Sequence, residues 1–166
     1  SKNCFTLRTY QDMEAIKQSV QTAKNVVIVG ASFIGIELAG TIKKQFGDKV
    51  NVTIVNRSET PFSKSLGPEV GSMIKKVMEE NGINFLMEHE VKSVNGGEEV
   101  RGVTLNNGKN IPADIVVFGT GITPNTKIAP RGTKLSEDGG IYTDVFMQTV
   151  KDRIFAAGDV ASFPYW

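Results

Sequence analysis

Apolar residues recur along this chain with two spacings, one suited to helices and one to buried strands. In residues 9–23 (TYQDMEAIKQSVQTA), Met13, Ile16 and Val20 stand at helical spacing behind a Thr-x-x-Asp start that predicts a capping box. Residues 25–30 (NVVIVG) form a continuous β-branched run, the composition of a strand covered on both faces of a parallel sheet. Ile34, Leu38 and Ile42 predict a helix over 33–46, and residues 50–56 (VNVTIVN) a second strand. A further helix is expected over 68–81, with Val70, Ile74 and Val77 on one face, Pro68 near its start and Gly82 as its stop. A short strand, 83–88, follows.

The pattern then breaks into short segments, 91–94, 99–105 and 109–112, separated by Asn95-Gly96-Gly97 and Asn107-Gly108. Asn-Gly is a strong hairpin signal because a tight two-residue turn needs positive φ at both positions. These segments therefore predict an antiparallel meander. Residues 114–118 (DIVVF) return to a buried strand ending in the loop Gly119-Thr120-Gly121. The tail carries strand-like runs at 141–143 and 153–157, before Gly158-Asp159. Strands alternating with helices around an inserted meander predict an α/β fold: a Rossmann-like, doubly wound parallel sheet with an antiparallel β-meander, in three ββα layers.

Composition narrows the function classes. The 166 residues fit one ordinary globular domain, large enough to fold without disulfides or metal. A net charge of +1 lacks the basic excess of a nucleic-acid or membrane-surface binder, so neither partner is expected. No stretch approaches the roughly 18 apolar residues of a membrane span, and the opening SKNCFTLR has no apolar signal core. Cys4 is the single cysteine and His89 the single histidine, which leaves no internal disulfide, CxxC pair, cysteine-rich zinc site or multi-histidine site. One histidine without a nucleophile elbow also leaves no hydrolase triad. His89 is expected in a loop, lining a cleft or facing solvent, and Met73, Met78 and Met87 as core filler. An intracellular, reducing compartment fits this cysteine usage.

The candidate chemistry begins at Gly30-Ala31-Ser32-Phe33-Ile34-Gly35, between a buried strand and an amphipathic helix. Gly30 permits the sharp turn, a small residue at 32 lets backbone approach a pyrophosphate, and Gly35 lets the helix lie close on the strand. Ser32 departs from the usual glycine, and a tight strand-to-helix turn without ligand is the alternative. About 20 residues on, where an acid would bond the adenosine ribose, stand Asn56 and Arg57. Asparagine would not repel a 2′-phosphate and Arg57 could attract one, or simply be a solvated strand-end arginine. Glu37 is either a helix-start acid favoured by the dipole or a carboxylate for a carboxamide. Asp159, after Gly158, is either a turn residue or a carboxylate at the sheet's carboxyl edge.

Four segments in order, LRTYQD (7–12), VVIVGASFIGIELA (26–39), GTGITPN (119–125) and TVKDRIFAAGDVASFP (149–164), resemble the flavin-dependent pyridine nucleotide oxidoreductases. Within them, GASFIGIELA, ETPFSKSLGPEVG (59–71) and GDVASFPYW (158–166) look most like the apoptosis-inducing-factor-like branch, near the ferredoxin and rubredoxin reductases. The resemblance implies an NAD(P)H-binding domain, residues 1–145, inserted in a larger flavoprotein, with 146–166 as the return toward the FAD-binding domain. FAD and interface domains of the same chain would be partners, and no turnover is expected without them. It matches Gly30, Ala31, Ser32, Phe33, Ile34 and Gly35 to the pyrophosphate loop, Glu37 to a carboxamide-binding glutamate, and Asn56 and Arg57 to the adenosine ribose. Val91 falls near the adenine, Gly121 and Ile122 beside the nicotinamide, and Asp159 at the FAD ribityl chain. The parent would pass hydride from NAD(H) or NADP(H) to FAD, and electrons on to a redox acceptor protein such as a ferredoxin. A dinucleotide-responsive signalling module without significant turnover is the alternative function, and the likeness extends the expected compartment from cytoplasm to mitochondrion.

Overall fold

The computed structural model describes residues 2–164; the last two residues of the GDVASFPYW match lie outside them. The chain divides into two compact units, Ser1–Gly121 and Ile122–Trp166. The first contains β1 (Cys4–Thr6), α1 (Tyr10–Val20), β2 (Asn25–Val29), α2 (Phe33–Phe46), β3 (Asn51–Asn56), α3 (Gly67–Glu80) and β4 (Ile83–Met87). The meander β5 (Val91–Gly96), β6 (Val100–Leu105), β7 (Asn110–Pro112) and the strand β8 (Ile115–Phe118) complete it.

The central sheet is parallel, ordered β1-β8-β2-β3-β4. Its inner strands β2, β3 and β8 are covered on both faces, successive side chains alternating between them. Val26 and Ile28 of β2, Val52 and Ile54 of β3, and Ile115 and Val117 of β8 join Ile16, Val20, Ile36, Ala39 and Ile42 in a helix-side cluster. Val27, Val55 and Val116, one step along each strand, pack with Val100, Val103 and Leu105 of the meander. The three ββα layers expected from the sequence are those observed. The register is strongly specified, since a one-residue slip would exchange the two cores.

The α1 cap forms as its sequence predicts. The Asp12 N–H donates to Thr9 Oγ1 at 3.2 Å, and Asp12 Oδ2 accepts from the Thr9 N–H at 2.8 Å. Helix α3 is turned differently from expectation. Gly71 faces the Thr60–Pro61 turn so closely that a Cβ would lie 2.9 Å from Thr60 Oγ1. That approach directs Gly71, Ile74 and Met78 inward and leaves Leu66, Val70, Met73 and Val77 exposed. Met73 is therefore surface, not core filler.

The second unit contains β9 (Ile141–Tyr142) and β10 (Ala161–Ser162), paired in parallel. The strand expected over 153–157 is absent. Arg153 turns left-handed at φ 58, the Thr149 N–H donates to the Ile154 carbonyl at 2.8 Å, and Phe155 makes an isolated bridge to Gln148. A tight turn at Asp152–Arg153 consumes the residues a strand would have needed.

Candidate functional site

From β2 the chain runs through α2 to β3 and through α3 to β4, stepping outward on one side, whereas β8 lies on the other side of β2. The carboxyl ends of β2 and β8 thus flank a topological switch point, where open α/β sheets bind ligands. Two glycines shape it. Gly30 follows β2 at φ +107, and a Cβ there would sit 2.5 Å from the Gly119 carbonyl oxygen. A Cβ on Gly35 would run into the Gly30 carbonyl oxygen and lie 3.4 Å from Ile28 Cγ2. The first turn of α2 and the ends of β2 and β8 therefore meet backbone to backbone.

Ser32 occupies the N-cap of α2 without capping it. Its Oγ donates instead to the Gly119 carbonyl at 2.7 Å, which joins the loop to the end of β8. The first intrahelical bond runs from the Ile36 N–H to the Ser32 carbonyl at 2.9 Å. The amides of Phe33, Ile34 and Gly35 precede it and have no intrahelical acceptor, at the positive end of the helix dipole. Such an end suits an anionic phosphate, and because the Ser32 hydroxyl bonds Gly119 those amides stay uncapped.

The depression at this point is lined by Gly30, Ala31, Ser32 and Phe33, by Asn56 and Ser58, by the 62–65 loop and by Gly119, Thr120 and Gly121. The Phe62 N–H donates to the Ala31 carbonyl at 3.3 Å, and its ring lies 4.5 Å from that of Phe33. Lys64 adds a cation to this wall. The loop entered the sequence reading only through the family likeness; a lysine flanked by serines after the second strand was its available signal.

A second depression shares Gly30, Asn56 and Thr120 with the first and adds Arg57, His89, Glu90, Val91 and Phe118. Asn56 Oδ1 accepts from the Ala31 N–H at 3.1 Å, tying the end of β3 to the glycine loop. His89 Nδ1 lies 2.6 Å from the Met87 carbonyl and Nε2 lies 3.0 Å from Asn107 Nδ2. The Lys109 N–H donates to Asn107 Oδ1 at 3.0 Å, which fixes that amide's orientation. Asn107 therefore presents its Nδ2 to Nε2, and Nδ1 faces the Met87 carbonyl.

Gly30, Ala31, Ser32, Phe33, Asn56, Arg57, Val91 and Gly121 are thus brought to these linked depressions. Ile34 and Gly35 lie in the first turn of α2 behind the loop. Glu37 is exposed, farther along α2 than the lining residues. Ile122 and Asp159 belong to the second unit, and both are exposed. Among the described residues no cluster of His, Cys, Asp and Glu is placed to hold a metal ion. No helix among them is long and apolar enough to cross a membrane.

Comparison with known proteins agrees with this geometry. A family model described as pyridine nucleotide-disulphide oxidoreductase matches residues 1–165. Apoptosis-inducing factor 3 of Homo sapiens is 36% identical over 165 residues, covering 98% of this chain and 27% of that protein. Rhodocoxin reductase of Rhodococcus erythropolis is 33% identical over 159 residues, covering 95% of this chain and 36% of the relative. A ferredoxin reductase structure from Rhodopseudomonas palustris superposes with a TM-score of 0.87 at 31% identity, covering 96% of this chain and 39% of that one. A covalent putidaredoxin reductase–putidaredoxin complex gives 0.88 at 28% identity, covering 98% and 39%. The chain thus spans between 27% and 36% of the length of these curated relatives.

Proposed function

Because the chain belongs to the pyridine nucleotide-disulphide oxidoreductase family, we propose that its first unit binds NAD(H) or NADP(H) at the β2–β8 switch point. The observation that carries this reading is the uncapped start of α2. Ser32 turns its hydroxyl onto Gly119, so the amides of Phe33, Ile34 and Gly35 are left to receive a pyrophosphate. Lys64, on the facing wall, contributes charge to the same anion. The adenosine half lies along Asn56, Arg57 and Val91, and the nicotinamide half along Gly121 with Ile122 next in sequence. Glu37 accepts from the carboxamide NH2 in this reading.

The parent protein would be a flavin-dependent oxidoreductase of which residues 1–145 form the nucleotide domain and 146–166 the return segment. Asp159, an exposed carboxylate, fits as an acceptor for a polyol hydroxyl of FAD held by the rest of that protein. Bound together, the two cofactors would supply the hydride-transfer chemistry. This chain's residues bind and orient the dinucleotide. Relatives named as rhodocoxin, ferredoxin and putidaredoxin reductases support a protein acceptor of that kind for the parent. Likeness to apoptosis-inducing factor 3 supports a second reading, a dinucleotide-responsive module. Steady-state reduction of an acceptor by the full-length protein with NADH separates the two.

Calorimetric titration of the chain with NADH and NADPH at one ionic strength tests the site. Saturable binding of at least one is expected. Absence of binding up to millimolar ligand would overturn the assignment.

A further inference from the structure

We propose that Glu90 reads the adenosine ribose and selects NADH over NADPH, replacing from a different loop the acid that the end of β3 lacks. The inference rests on the groove being a dinucleotide site. An unphosphorylated ribose presents two hydroxyl donors, and recognition of the pair calls for an acceptor, ordinarily a carboxylate at the end of the second strand. Here that position is Asn56, whose Oδ1 is engaged by the Ala31 N–H at 3.1 Å. The amide keeps one Oδ1 lone pair and an Nδ2 donor, and it carries no charge with which to repel a 2′-phosphate.

Glu90 is the one carboxylate among the residues lining the adenosine-side depression. Its backbone is anchored on both sides. The Glu90 N–H donates to Asn106 Oδ1 at 3.3 Å, and the Asn106 N–H donates to the Glu90 carbonyl at 2.9 Å. The preceding His89 N–H donates to the Asn56 carbonyl at 3.0 Å, and the Glu88 N–H to the Ser58 carbonyl at 3.3 Å. These bonds stitch the β4–β5 loop onto the end of β3 and deliver the carboxylate beside position 56.

Arg57, the residue best suited to a 2′-phosphate, is already compensated. Its Nη1 lies 3.7 Å from Glu90 Oε1, with the side chains 79% and 54% exposed. So open an ion pair adds little to stability. Its consequence is for ligands: a ribose diol finds an acceptor, whereas a 2′-phosphate meets a carboxylate beside the arginine.

The test is calorimetric titration of the wild-type chain, Glu90→Gln and Glu90→Lys with NADH and with NADPH at one ionic strength. The wild type should favour NADH roughly tenfold, the scale of one charge–charge contact near a surface. Glu90→Gln should weaken NADH, strengthen NADPH and erase most of that ratio, and Glu90→Lys should reverse it. A wild type favouring NADPH would overturn the role given to Glu90. So would a ratio unmoved in both variants while NADH still binds; either result leaves the dinucleotide site standing. Failure of the wild type to bind either dinucleotide would overturn both readings.

Discussion

At the scale of single residues, the site depends on where side chains are missing. Gly35 and Gly40 lie in the same helix and separate two effects of glycine. A Cβ at 35 meets the Gly30 carbonyl, whereas at 40 its nearest neighbour outside the helix is Met78 Cε at 3.6 Å, an ordinary contact. Gly40→Ala should therefore stabilise the fold by about 0.5–1 kcal/mol through helix propensity. Gly35→Ala should destabilise it by about 1–3 kcal/mol through overpacking and weaken dinucleotide binding as the first turn of α2 shifts. Urea unfolding with parallel NADH titrations measures both, and equal behaviour of the two variants would contradict the close approach of α2 to Gly30. The tight turn at Gly30 and the close approach at Gly35 were legible because glycines at that spacing, between a buried strand and an amphipathic helix, prescribe them. The partners of Ser32 and Asn56 were not. Ser32 bonds a carbonyl 87 residues away and Asn56 an amide 25 residues away, so each choice depends on how β8 and β3 end up beside the loop.

At the scale of elements, local signals were read well where they act locally. The Thr9–Asp12 box caps α1 as its sequence implied, and it makes that helix sensitive to acid. The backbone N–H groups of Thr9 and Arg8, and then the Thr9 hydroxyl, hold the Asp12 carboxyl below its ordinary value of 3.8. A lowered value means that the carboxylate's contribution is complete above 3.8 and is lost as pH falls through the folded value. The melting-temperature gap between the wild type and Asp12→Asn should therefore be widest near neutral pH and close in acid below that value. A gap independent of pH would show that the cap does not depend on the ionised carboxylate. Elements governed by distant contacts were read less well. β1 is three residues long and only partly buried, too short to carry a period, and it exists because β8 pairs with it. The face of α3 was misread because Gly71, not the valines, sets its rotation against Thr60 and Pro61.

At the scale of the whole molecule, the division into Ser1–Gly121 and Ile122–Trp166 bears on which part carries binding. Both apolar clusters are built from residues no later than Phe118, and every residue lining the two linked depressions falls within the first unit. A chain of residues 1–121 therefore keeps the core and the groove together. ADP-ribose, which carries the adenosine and pyrophosphate but no nicotinamide, isolates the half of the ligand that this unit is proposed to hold. Its affinity for residues 1–121 should match that for the full chain within about twofold, the scatter expected of independent sites. If ADP-ribose binding collapses while the truncated chain remains folded by circular dichroism, residues 1–121 do not carry the site alone. The loop from Gly30 to Gly35 would then be insufficient for binding.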